Sequence, residues 1–347
     1  MDMFDTRTML RMVQEADKKP TTFLRDRYFG NVITYNTARV DVDIIGDKGR
    51  RVAPFVNPKV GGIVIEDQGY RTESYEAPEV SPMKVTTSED LLKRSPGETV
   101  YSQKSPNERA AEKLGRDLSD LDDIISRREE VMCAEALFTG QVTVKGNGYD
   151  EVIKYWPSAS AKQPKETLST KWDNQNAEPL ADLRAIRRKV IQKSGLSPAE
   201  IICGTSVLEA LLGKLVNGKD LDTRRVDMGM INPSHLPDGV TYWGYLKDSG
   251  LDLYSYDSWY LDDSNQEQPF VPADKFLVAC RGVATTMAYS CVEVVNENKQ
   301  EQMMVEGSRV PISWVQRKNP SGRIVQIKSR PLPIIHQVNG FYVVTAI

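Results

Sequence analysis

Only 2 of the 347 residues are histidine and only 4 are cysteine. Cys133, Cys203, Cys280 and Cys291 are scattered and form no CxxC pair, a pattern that predicts free, buried thiols in a reducing compartment. His235 lies in the turn-rich stretch INPSHLPDG and His336 ends a strand. Neither has a Cys, His or carboxylate at metal-site spacing, so both read as structural or surface residues, with no metal or cofactor implied. No apolar run approaches the ~20 residues of a membrane span. Asp2 and Asp5 precede any apolar segment in MDMFDTRTML, which is wrong for a secretory signal and predicts a chain made in a cytoplasm without its own export signal. A net charge of −3 gives no global basic character to argue for nucleic-acid binding.

Catalytic patterns are equally scarce. Ser81 to Lys84 fits SxxK but lies between strands, not at a helix start. The GNG at 146–148 reads as a hairpin turn, because no helix follows it. The densest basic spots, Arg224-Arg225 and Arg187-Arg188-Lys189, read as solvated faces or as subunit–subunit ion pairs. No nucleophile–base pair emerges, so an enzyme built on an α+β unit at 176–300 is disfavoured. With 40% hydrophobic and 27% charged residues, the chain is a soluble globular protein long enough for about two domains.

The most definite element runs from Ser105 to Gly140. Ser105, Pro106 and Glu108 form a capping box with proline at the first helical position, and Gly140 supplies the stop. A helix over 106–139 spans about 51 Å. Its apolar stripe is Ala111, Leu114, Leu118, Leu121, Ile125, Met132 and Ala136, interrupted at Arg128. The remaining faces carry charge, Glu129 and Glu130 included, so one narrow face should be buried, against the long strand near 323–336, and the rest wet. Arg128 and Gly115 are the places to expect close backbone packing or an intersubunit contact.

Around this helix the texture changes several times. The first 40 residues hold two short apolar clusters, around Met9 and around Phe23, Leu24, Tyr28 and Phe29, too short to be stable alone. Thr37 to Ile45 alternates like a half-buried strand. Residues 61–104 are β-rich and mostly polar, and predict two strands, 62–77 and 80–87, turning near Pro78 and Pro82, then a capped helical turn at 88–94. Residues 141–156 read as strand–turn–strand, and 157–179 as a surface connection. An α+β unit follows, with helices at 179–194 and 205–218, core residues Leu183, Ile186, Val190 and Ile191, and strands IICG, VTYWGYL, LDLYSYD, KFLVACRG and VATTMAYS. The tail adds a strand at ISWVQ, a long strand RIVQIKSRPLPII whose proline pair suggests a sheet edge, and FYVVTAI.

This order of parts resembles the phage major capsid protein with the Hong Kong 97-type fold, and within it the lambda-like major capsid protein E family. The stretches that carry the resemblance are TTFLRDRYFGNVITYNTARVDVDI, NPKVGGIVIEDQGYRTESYEAPEVSPMKVTT, KDLDTRR and ISWVQRKNPSGRIVQIKSRPLPI. It implies an α+β fold with an N-terminal arm at 1–40 and an extended loop at 41–105. A peripheral domain would take 106–175 and 301–336, with its spine helix at 106–139, and an axial domain 176–300 and 337–347. By the same resemblance the chain is a head-shell subunit of a tailed double-stranded DNA phage or prophage, found in the virion and assembled in the host cytoplasm. Its implied partners are other copies in pentamers and hexamers, a portal, and a separate scaffolding protein, since the chain begins at the arm. A decoration protein is typical of the lambda-like branch, though the sequence does not show one. DNA would be enclosed without sequence-specific binding. Lys84, Lys93 and Lys104 are available for the crosslink known in another branch. The candidate intersubunit contacts are Arg224, Arg225, Arg128, Tyr70, Tyr75, Phe23 and Tyr28. An arm and a loop without a core of their own gain stability only by burying surface elsewhere, and obligate interfaces of that kind exceed ~2,000 Å². The alternative reading is a tail or head–tail adaptor protein that forms rings or tubes.

Overall fold

The computed structural model describes residues 8–9, 22–45, 70–93, 105–146, 149–155, 165–217, 234–236, 239–296, 301–317 and 321–347. The long helix spans Pro106–Thr139. Ser105 Oγ accepts from the Glu108 amide, the Glu108 carboxylate accepts from the Ser105 amide, and Gly140 ends the helix at φ 73. Its first half behaves as the stripe predicts. Leu114, Leu118, Leu121 and Ile125 are buried together with Met9, Val325 and Ile327, so the stripe packs on the strand Gly322–Lys328 and on the arm. Gly115 makes no close approach, since a Cβ built there would meet nothing within 4 Å.

The second half departs from the expectation of one wet face. Every residue from Glu129 to Ala134 is buried. Three structures surround it there: the arm helix Phe23–Tyr28, the hairpin Gln141–Gly146 with Tyr149–Lys154, and a three-stranded sheet. In that sheet Thr285–Tyr289 is central, with Val32–Thr34 parallel on one side and Pro331–Ile335 antiparallel on the other. The tail's long strand is in fact two, Gly322–Lys328 and Pro331–Ile335, parted where Ser329 bridges to Val80. Pro331 and Pro333 do lie on an edge strand, where their missing N–H groups interrupt no ladder.

The predicted pairing of 62–77 with 80–87 is corrected. Tyr70–Glu76 pairs with Arg39–Ile45 over seven residue pairs. Met83–Thr86 instead joins Gly322–Lys328, which also pairs with Val310–Gln316. Pro78 and Pro82 flank the residues between the two strands, and neither can donate a ladder hydrogen bond. The segments therefore part company instead of folding back. The helical turn is Ser88–Leu92, capped by Thr87 and Asp90. Residues 61–69 and 94–104 lie outside the described residues.

A seven-stranded sheet builds the α+β unit, in the order 165–167, 341–345, 275–280, 198–203, 251–256, 240–246 and 234–235. The helices Pro179–Ser194 and Thr205–Asn217 cover one face, where Leu183, Ile186, Val190, Val207 and Leu211 meet Ile201, Leu253, Phe276, Val278 and Val344. Ile191 was expected in that core but is 38% exposed. The opposite face, with Ile202, Tyr254, Tyr256, Leu277 and Val343, meets Phe23, Phe270 and Val271. All four cysteines are free and buried.

Candidate functional site

Two adjacent carboxylates in the long helix, Glu129 and Glu130, are fully buried. Helical geometry points neighbouring side chains in different directions, so the two reach different segments. Glu130 turns to the arm. Its carboxylate accepts from the Leu24 amide at 2.7 Å and the Arg25 amide at 3.0 Å, the otherwise unpaired N–H groups opening the arm helix. Glu129 turns to the tail. Arg309 holds it in a fork, Nη1 to Oε1 at 2.6 Å and Nη2 to Oε2 at 3.1 Å, and Tyr289 donates to Oε1 at 3.0 Å. Arg25 adds an ion pair at 3.3 Å. Arg309 also donates from Nε to Asp122 at 2.6 Å. Burial works against the Arg309 charge, but Glu129 outweighs it and holds the guanidinium more firmly protonated than usual.

A second cluster seats the far end of the arm helix on the seven-stranded sheet. Glu200 accepts from Arg27 at 2.6 Å, from Arg281 at 3.0 Å and from the Tyr28 hydroxyl at 3.2 Å. Arg27 stacks over Tyr254 at 4.5 Å. Burial opposes the Glu200 charge, yet Arg27 and Arg281 keep its pKa below the ordinary value. Arg27, Tyr28, Glu200 and Arg281 line a cleft of ≈ 270 Å³, in which the single carboxylate lies between the two guanidinium groups. The two clusters work mechanically: they fix arm, long helix, sheet and tail to one another.

The model of the family "phage major capsid protein E" matches residues 5–346. The chain belongs to this family. It is thus a major capsid protein of the tailed-phage and prophage kind, with the α+β capsid fold expected from its sequence. It is 23% identical to the major capsid protein of Escherichia phage lambda over 347 residues, with 98% of each chain covered. It is 22% identical to the major capsid protein of Enterobacteria phage P21 over 346 residues, covering 99% of each. A solved structure described as a prophage capsid protein from E. coli CFT073 superimposes with a TM-score of 0.71 at 18% identity, covering 99% of both chains.

The capsid subunit uses several of the predicted contact residues within its own chain. Phe23 packs between Tyr254 and Tyr256, with ring centroids at 6.1 and 5.6 Å. Tyr28 sets its edge against Phe341 besides binding Glu200. Tyr75 donates to the Lys154 carbonyl at 2.9 Å, and Tyr70 opens the strand Tyr70–Glu76. Arg128, 44% exposed, pairs with Asp263 at 2.8 Å. Arg224 and Arg225 lie outside the described residues, as does Lys104. Lys84 is held by Asp117 and Asp120, and Lys93 by Glu89. The residues that the sequence reading missed are Glu129, Glu130, Arg25 and Arg309. The run LDDIISRREE looked like a solvated face, and nothing local marks its last two carboxylates as buried.

Burial raises the Glu130 pKa from 4.5 to about 7, against the pull of the Leu24 and Arg25 amides. The folded value lies above the unfolded one, so protonation favours the folded subunit. That contribution is complete below about 4.5 and is lost as the pH rises through 7. Wild-type stability should therefore fall between pH 5 and 8 by up to about 3 kcal/mol more than that of Glu130→Gln. Urea titrations across that range check this, and parallel pH profiles for the two proteins would refute it.

Proposed function

We propose that the subunit self-assembles, through pentamers and hexamers, into a closed icosahedral shell around double-stranded DNA. Its role is structural and not catalytic, and DNA is enclosed without sequence-specific contacts. In this reading residues 1–40 are the arm and 41–105 the loop laid over a neighbouring subunit. Residues 106–175 with 301–336 form the peripheral domain, and 176–300 with 337–347 the axial domain that meets its copies around the capsomer axis. A scaffolding protein and a portal are the further partners, and the assembled protein resides in the virion after assembly in the host cytoplasm. Tyr70, Arg224 and Arg225 are the candidate contacts with neighbouring subunits in this reading, while Arg128, Tyr75, Phe23 and Tyr28 are engaged within the chain.

One observation carries the reading most. Strands Arg39–Ile45 and Tyr70–Glu76 form a two-stranded sheet with no third strand among the described residues. An isolated two-stranded ribbon is marginal in water; Val40 and Tyr75 seat its base in the subunit's own core, and support for the rest has to come from another surface. Replacing residues 46–69 with a short Gly-Ser turn keeps both strands and the whole described core. The resulting subunits should be folded and soluble yet give no closed shells in negative-stain electron micrographs. Shells of normal appearance would overturn the role assigned to the loop.

A further inference from the structure

Resting on the shell-subunit reading, we propose that successive copies in a capsomer ring join through two complementary patches. One is the acidic hairpin at 259–269 of one copy, and the other is the basic helix Pro179–Ser194 of the next. The hairpin pairs Trp259–Leu261 with Glu267–Pro269. From Asp257 to Pro269 the chain carries Asp257, Asp262, Asp263 and Glu267 and no Lys, Arg or His. Trp259 and Leu261, two residues apart and so on one face of the strand, are 55% and 64% exposed. Tyr260, between them, turns inward and packs on Phe270. The hairpin is thus anchored on its inner side and presents an apolar outer side beside negative charge, of which Asp263 is paired with Arg128 while Asp262 and Glu267 have no ion-pair partner among the described residues. Exposed tryptophan in such a setting is the residue type that most often dominates binding energy at interfaces.

The helix Pro179–Ser194 has the opposite character. It carries Arg184, Arg187, Arg188, Lys189 and Lys193 against Asp182 alone. Arg184, Arg188 and Ile191 recur at intervals of four and three residues, which places them on one face, and all three are exposed. The exposure of Ile191 was the departure from its expected core position, and here it supplies the apolar end of a basic stripe. Lys189 is satisfied by Glu166 and Arg184 by Asp248, whereas Arg188 has no ion-pair partner among the described residues. Glu267 likewise has none among them.

Placement decides how these surfaces can meet. The helix covers one face of the seven-stranded sheet through Leu183, Ile186 and Val190. The hairpin packs on the opposite face through Phe270 and Tyr260. Patches on opposite sides of one unit cannot pair within a chain. Between copies they pair head to tail, and a head-to-tail contact repeated by rotation closes into a ring.

Charge reversal tests this. Glu267→Lys and Arg188→Glu should each raise the protein concentration needed for half-maximal capsomer formation, read by native mass spectrometry, by about tenfold. The double variant should return to within about threefold of wild type, because the two signs are exchanged together. Trp259→Ser should weaken ring formation without changing the charge, and melting curves should be unaltered in all four. Single variants that assemble like wild type, or a double variant no better than the weaker single, would overturn the interface. The shell reading would then stand on wild-type particles seen in the same experiment. A wild-type protein that stays monomeric at every concentration would overturn both.

Discussion

Arg309→Met should cost the subunit about 3–5 kcal/mol of unfolding free energy, the loss that follows when one partner of a buried ion pair is removed. The Arg309 side chain is 11% exposed and its partner Glu129 is 0% exposed, so water cannot replace the lost fork. Arg25 and Tyr289 remain beside the carboxylate but supply only one ion pair and one hydroxyl donor. Removing the charge at both ends should be less harmful than the sum of the parts. Glu129→Gln with Arg309→Met should show a coupling of at least about 1 kcal/mol in a double-mutant cycle. Urea unfolding followed by tryptophan fluorescence reads both quantities. A single-variant cost below about 1 kcal/mol would mean that the fork is not what joins tail to helix.

Leu121→Asp should be at least as severe, at about 3–5 kcal/mol or more. Leu121 is 1% exposed in a cluster of Met9, Leu114, Leu118, Ile125, Val325 and Ile327, none of which can pair with a carboxylate. The same change three residues later is the control. Ile124 is 45% exposed on the same helix, and Ile124→Asp should stay within about 0.5 kcal/mol of wild type. Equal melting temperatures for the two variants would show that the stripe is not the packed face.

What could be read from the sequence follows the range of the interaction that fixes each element. The long helix was legible to the residue, because Ser105, Pro106, Glu108 and Gly140 act within one turn of the ends they set. The hairpin at 141–154 and the helix at 179–194 were legible for the same reason. Strand partners were not. Tyr70–Glu76 and Met83–Thr86 are neighbours in sequence, yet their ladders run to Arg39–Ile45 and Gly322–Lys328. A run of alternating residues states that a strand exists and not what it pairs with. Thr285–Tyr289 shows the same limit. It read as one strand among several of the α+β unit, and it forms its sheet with the arm and the tail. The buried carboxylates were hidden most completely. Glu129 and Glu130 sit in SRREE, a sequence that any solvated helix could carry, and their burial depends on residues 24, 25, 289 and 309 arriving from elsewhere.

Those arrivals set a timetable for folding. Glu130 meets Leu24 across 106 positions of chain, and Glu129 meets Arg309 across 180. Contacts that far apart form late, since the chain entropy lost in closing such loops comes before any gain from the contact. The long helix can form early and wait, its second half bare and carrying two ionised groups that water must solvate. Until arm and tail both dock, that half is sticky as well as charged, and chains crowded together in this condition aggregate. Refolding followed by tryptophan fluorescence should therefore show the docking of arm and tail as its slowest phase, and subunits held short of that step should aggregate.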